Sequence, residues 1–136
     1  MSNIPEWRAE LATGSAEIDS QHRHLLELAR KVVDSFDTAG CDRETFHWHL
    51  NELAVLAEEH FATEEALLSA HGDPLLSKHR AEHDQYREQI TGLLMAAMRG
   101  KLDRAGLCQV LHDWTTHHLL ETDMGSRQYL VEHHAP

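Results

Sequence analysis

HFATEEALLSAHGDPLLSKHRAEH, residues 60–83, decides the fold. It holds two polar pairs at a spacing of four, His60 with Glu64 and His79 with His83. In an α-helix, residues four apart differ by roughly 40° in azimuth and about 6 Å in rise, so each pair shares a face. Between the pairs, Gly72 can end one helix, Asp73 can cap the next, and Pro74 suits a first helical position. The stretch reads as an antiparallel helix pair with four potential metal ligands facing one another.

Working outward, the same period recurs on both sides. A first helix is expected from about Asp19 to Asp37, with Ile18, Leu25, Ala29, Val32 and Phe36 on one stripe and His22 within it. Gly40 supplies a stop and Asp42 a cap for the second helix, which runs to about Ala70. Phe46, Leu50, Leu53, Ala57, Phe61, Leu67 and Leu68 share its apolar face with His60 and Glu64. The third helix runs from Pro74 to about Arg99, with Leu76, Tyr86, Ile90, Leu93 and Ala97 inward and His79 and His83 on the same stripe. Gly100 is the next stop and Asp103 the next cap. The fourth helix starts near Arg104, with Leu107, Leu111, Trp114 and His118 facing one way.

Short connections force antiparallel neighbours, so the chain reads as all-α, an up-down-up-down four-helix bundle. We take residues 1–136 as one domain: an N-terminal arm over 1–17 anchored by Trp7, the bundle over 18–123, and a short helical C-terminal tail over 124–136.

Composition narrows the function classes. Hydrophobic content is 41% and the formal net charge is −11, which suits a globular chain and argues against nucleic acid or anionic membrane surfaces. No apolar run approaches the roughly 18 residues of a membrane span, and no secretory leader is visible. Cys41 and Cys108 make no disulfide framework and read as reduced thiols of a cytoplasmic protein. The 13 histidines stand out and point toward metal chemistry.

Every helix places histidine on its core stripe: His22, His60, His79 with His83, and His118. One such residue is usually a satisfied core histidine. Five at one level, each left unpaired, would cost roughly 1–3 kcal/mol apiece, against a total stability of about 5–15 kcal/mol. Five imidazoles and Glu64 exceed one tetrahedral zinc and suit two first-row transition metals. Helix four offers a further carboxylate in Glu121 or Asp123. α-Helical spacing favours Glu121, three residues from His118, because Asp123 is rotated by roughly 140°.

The sequence resembles the hemerythrins, in particular single-domain bacterial ones. The resemblance is carried by W-x-x-x-L-A-T-G from Trp7, IDSQH ending at His22, HFATEE from His60, HRAEH from His79 and WTTHHLLETD from Trp114. It implies a non-haem di-iron centre with His79, His83 and His118 on one iron and His22 and His60 on the other. Glu64 and Asp123 would bridge, together with an oxo or hydroxo group, and O₂ would bind at the less substituted iron. It also implies a pocket lined by Trp114, Thr115 and Leu119. Thr115 departs from the family, which commonly has a bulky aliphatic residue there. A hydroxyl facing the pocket would admit water or donate to bound oxygen, and faster autoxidation is then expected.

Two classes of function compete. The first is reversible O₂ binding for carriage, storage or delivery, with a redox sensor acting through a protein partner as a variant of it. The second is an enzyme reducing peroxide or nitric oxide. No positioned general acid or electron-transfer motif is evident, so a non-enzymatic O₂-binding protein is expected, with an oxygen-consuming partner possible. A ferritin-like di-iron bundle would want two E-x-x-H pairs; only Glu44 and His47 match.

Overall fold

The computed structural model describes residues 4–37, 43–122, 125 and 127–130. Residues 60–83 form the expected antiparallel pair, the end of α2 (Arg43–Ala70) and the start of α3 (Leu76–Met98). Gly72 adopts φ +71°, a conformation that costs other residues a Cβ clash. Its N–H donates to the Ser69 carbonyl at 3.3 Å, and the Asp73 N–H donates to the Leu68 carbonyl at 2.9 Å. Together these bonds satisfy the last carbonyls of α2. Gly100 ends α3 in the same way at φ +67°, with Lys101 N–H on the Ala96 carbonyl at 2.8 Å.

Two helix starts differ from the sequence reading. α1 covers Ala16–Asp37 and begins before Asp19. The Ser15 hydroxyl accepts the Ile18 N–H at 3.3 Å and acts as the cap. Asp19 instead ties down the arm, its Oδ1 accepting the Thr13 N–H and hydroxyl, both at 2.8 Å. α3 begins at Leu76 rather than Pro74. Asp73 Oδ1 accepts the Leu75 N–H at 2.9 Å and the Asp73 carbonyl accepts the Leu76 N–H at 3.2 Å. Pro74 therefore occupies a turn whose φ it presets. The expected stop at Gly40 and cap at Asp42 lie outside the described residues.

α4 (Arg104–Asp113) is capped as expected, Asp103 accepting the Gly106 N–H at 2.6 Å. It does not continue as an α-helix. From Trp114 to Thr122 the winding is π-helical. At the junction Thr115 donates its hydroxyl to the Leu111 carbonyl at 2.8 Å, and Thr116 donates to the His112 carbonyl at 2.7 Å. Hydroxyls here compete with backbone N–H groups for carbonyls one turn back. A last short helix, α5 (Arg127–Leu130), follows.

α1 packs on α2, α2 on α3, α3 on α4 and α4 on α1, closing an antiparallel ring of four helices; the described residues contain no strand. The main core runs along its length through Leu25, Val32, Leu50, Phe61, Leu93, Leu107 and Leu111. A separate small cluster of Ile18, Leu68 and Leu130 closes one end, with α5 supplying Leu130. Ile18 lies one turn before His22 and Leu68 one turn after Glu64, so the polar residues form a layer between two apolar ones. No helix among the described residues is long and apolar enough to cross a membrane.

Candidate metal centre

Glu64 stands at the centre of the buried polar layer. His22, His60, Glu64, His83 and His118 are fully buried and His79 nearly so, at 3% exposure. Glu64 Oε2 faces His60 Nε2 at 3.0 Å. Glu64 Oε1 faces His83 Nε2 at 3.1 Å, His79 Nδ1 at 3.6 Å and His118 Nε2 at 3.7 Å. The His22 ring stands edge-on to that of His60, centroids 5.0 Å apart. Two overlapping sets could each hold a metal ion, His22 with His60 and Glu64, and His79 with His83 and Glu64; within each set the ligand atoms lie within 4.8 Å of one another. The two oxygens of one carboxylate thus divide the imidazoles into two groups.

The far sides of the rings are also engaged. His60 Nδ1 lies 3.0 Å from the Gln21 carbonyl oxygen. The Gln21 amide nitrogen donates to Thr63 Oγ1 at 3.1 Å, which turns the amide so that its oxygen receives the imidazole proton. His83 Nδ1 lies 3.0 Å from Glu65 Oε2, and His118 Nδ1 lies 2.8 Å from Glu82 Oε1. His79 Nε2 lies 3.4 Å from Asp73 Oδ2.

The chemistry of this donor set fits a cation. A neutral imidazole has one N–H to give. His83 and His118 each lie between two carboxylates, and His60 lies between an amide oxygen and a carboxylate. Each ring that donates outward presents a bare nitrogen to Glu64, so a proton or a metal ion must separate the two acceptors. Nitrogen and carboxylate oxygen without thiolate suit first-row transition metals. Burial pushes the Glu64 carboxyl up, but hydrogen bonds from His60, His79 and His83 outweigh it and hold the group well below the usual carboxylate range. The buried layer is therefore arranged around a carboxylate anion.

The family model described as "Hemerythrin HHE cation binding domain" matches residues 13–125. This chain belongs to the hemerythrin family. It is 27% identical over 135 residues to a bacteriohemerythrin of Clostridium acetobutylicum, covering 91% of this chain and 97% of the relative. A Pseudomonas aeruginosa bacteriohemerythrin is 24% identical over 119 residues, covering 88% and 76% of the two chains. Crystal structures of hemerythrin carrying leucine-to-alanine and leucine-to-tyrosine substitutions superpose with a TM-score of 0.83 at 22% identity, over 97% of this chain and 100% of theirs. That likeness is one of fold.

Six of the metal ligands expected from the sequence converge in this hemerythrin layer, His22, His60, Glu64, His79, His83 and His118. The seventh, Asp123, lies outside the described residues. The π winding that precedes it removes the objection from α-helical spacing. In a π-helix an N–H bonds the carbonyl five residues back, and the wider turn shrinks the angular offset between positions five apart. Of the expected pocket residues, Trp114, Thr115 and Leu119 are all fully buried. Thr115 departs from its expected role. Its hydroxyl proton is committed to the Leu111 carbonyl, with His112 O also within 3.2 Å.

Sequence reasoning missed the outer partners Gln21, Asp73, Glu65 and Glu82, and the ring of Phe61 against His83. Glu65 and Glu82 each adjoin a ligand in sequence, but a carboxylate beside a buried helical residue reads as ordinary solvated surface. The pairing of Glu65 with His83 spans two helices and leaves no local trace.

Proposed function

We propose that this hemerythrin-family chain is a non-haem di-iron protein that binds O₂ reversibly, for carriage, storage or delivery. The observation that carries the reading is the division of imidazoles by Glu64, with His79, His83 and His118 toward Oε1 and His60, with His22 beside it, toward Oε2. In this reading those two groups would each hold one iron, with Glu64 and Asp123 contributing carboxylates to both. Bound iron would supply the electrons for O₂ binding and a site at which O₂ can attach.

The chain's own residues hold and shield that pair. Imidazole is a neutral donor, and a single described carboxylate between the two positions keeps the charge of the centre low. Phe61, Trp114 and Leu119 are fully buried and limit water near the centre. Thr115 turns its proton to the backbone, so it offers the bound ligand no acid. With that proton on the backbone, the described side chains Phe61, Thr115 and Leu119 give the bound ligand no acidic hydrogen, which suits release of the ligand more than its reduction and favours binding over turnover of peroxide or nitric oxide.

The test is optical. Iron-loaded protein is reduced without oxygen, exposed to air, and deoxygenated again, with metal content measured alongside. Two irons per chain and a visible charge-transfer band that comes with air and leaves on deoxygenation are expected. Irreversible oxidation on first exposure would overturn carriage, and fewer than two irons would overturn the di-iron reading.

A further inference from the structure

The rings on the two sides of Glu64 are backed differently. Toward Oε1, His83 backs onto Glu65, His118 onto Glu82 and His79 onto Asp73. Toward Oε2, His60 backs onto the neutral amide of Gln21. Glu65 is itself fixed by Arg80 at 3.2 Å and Arg87 at 3.3 Å, and Arg87 is held in turn by Glu58 and Asp84, both at 2.8 Å. Glu65 and Glu82 keep partial burial, 20% and 16% exposed, so solvent screens their charges weakly. Asp73 is buried, and its other oxygen, Oδ1, accepts the Leu75 N–H at 2.9 Å.

A carboxylate behind a metal-bound imidazole fixes the tautomer, raises the basicity of the ligand nitrogen and places negative charge near the metal. Each effect favours the higher oxidation state. An amide fixes the tautomer and adds no charge. We propose that Glu65 and Glu82, with Asp73, are positioning residues that make the two metal positions inequivalent, so that the position held by His79, His83 and His118 gives up its electron first. The inference rests on the di-iron reading above.

The experiment compares wild type with Glu65→Gln, Glu82→Gln and Gln21→Glu. Iron content and circular dichroism come first, then stepwise oxidation of the reduced protein by an outer-sphere one-electron oxidant. Mössbauer spectra identify which site is ferric at half oxidation. Each acid-to-amide change is expected to shift the first one-electron equilibrium about tenfold toward the ferrous form, a rise of about 59 mV. Gln21→Glu is expected to ease oxidation of the other position and narrow the gap, a result that a merely structural role for these side chains would not produce. Variants that hold both irons with unmoved potentials would overturn the proposal, and Gln21→Glu decides it if an acid-to-amide variant misfolds. Wild type with fewer than two irons would count against the di-iron reading instead. Nitrogen NMR of the metal-free protein then judges the outer contacts directly. Protons on Nδ1 of His83 and His118 are expected, whether or not Nε2 also carries one toward Glu64, and rings protonated on Nε2 alone would overturn the positioning role.

Discussion

The ring of Phe61 stacks on the imidazole of His83, with centroids 4.4 Å apart and planes 22° from parallel. Phe61 also meets His118 edge-on at 5.7 Å and Trp114 at 6.1 Å. One fully buried aromatic thus sets the attitude of two rings of the centre while belonging to the main core. Phe61→Ala should cost about 3–5 kcal/mol, and Phe61→Leu less, because a branched aliphatic refills most of the volume. Both should release iron to a chelator faster than wild type, since neither restores the stacked face, a contact of about 0.5–1.5 kcal/mol. Denaturant titration paired with chelator kinetics checks this. Wild-type iron retention in Phe61→Leu would show that the stack does not orient His83.

Glu64 faces every imidazole for which a distance to the centre is given above, so its loss should be felt by both positions. Glu64→Gln keeps the volume but removes the charge and turns one acceptor into a donor aimed at imidazoles. We expect a folded protein that retains one iron or none, with the metal-free form weakened by about 1–3 kcal/mol for the disrupted buried contacts. Metal analysis and thermal unfolding measure the two effects separately. Two tightly held irons in this variant would remove Glu64 from the bridging role.

The bundle was legible because its punctuation is local. Gly72 and Gly100 stop helices by conformations that glycine tolerates, and His60–Glu64 and His79–His83 declare their faces by spacing. The starts of α1 and α3 differ from the spacing for a physical reason. A cap depends on which side chain reaches the first free N–H groups, and Asp19 and Asp73 spend their carboxylates on neighbouring turns. The six candidate ligands that converge were legible as stripes, but the choice between Glu121 and Asp123 was not. α-Helical arithmetic pointed to Glu121, and it fails over Trp114–Thr122 because that segment is π-helical. Nothing in a period of apolar residues announces a change of winding that spans nine residues.

Acid should destabilise the metal-free protein through Glu64 and Glu65. For Glu65, burial pushes the carboxyl up, but the His83 hydrogen bond and the charges of His83 and Arg87 outweigh it and lower the group. Glu64 is lowered more strongly. A carboxylate whose native pKa lies below its unfolded value, about 4.3, contributes stability above that value and loses it as pH falls through the native one. Unfolding free energy measured in urea should therefore decline from about pH 5 downward. Glu65→Gln should flatten part of that slope and leave the neutral-pH plateau lower. A slope unchanged by the substitution would exclude Glu65 as a contributor.

Leu130 is 1% exposed and packs with Ile18 and Leu68 over the site end of the bundle. The Tyr129 carbonyl holds α5 to the end of α2 through His71 Nδ1 at 2.6 Å. Leu130→Ala should cost about 2–5 kcal/mol. It should also open the layer next to His22 and Glu64 to water, so iron loss and autoxidation should both quicken. Leu130→Met fills the same space and should restore most of both. If Leu130→Ala lowers stability while iron loss and autoxidation stay at wild-type rates, the end cluster supports the fold without sealing the centre.

Thr115 separates a reading from residue type from one based on geometry. The sequence expectation was a hydroxyl facing the pocket, with faster autoxidation than in relatives having an aliphatic residue there. In the structure the hydroxyl donates to Leu111 at 2.8 Å, where α winding gives way to π. Thr115→Val, close in shape, should therefore leave the autoxidation rate within about twofold while costing about 0.5–1.5 kcal/mol for the lost hydrogen bond. The double variant Thr115→Val with Thr116→Val should do more. It frees the Leu111 and His112 carbonyls to accept backbone N–H groups one α-turn on, which would rewind the segment and rotate His118 away from Glu82. Chelator-driven iron loss should then rise well above that of either single variant. A single Thr115→Val that slows autoxidation more than about tenfold, roughly 1.4 kcal/mol in the barrier, would return the hydroxyl to the pocket. A double variant with wild-type iron retention would show that the π winding does not depend on the two threonines.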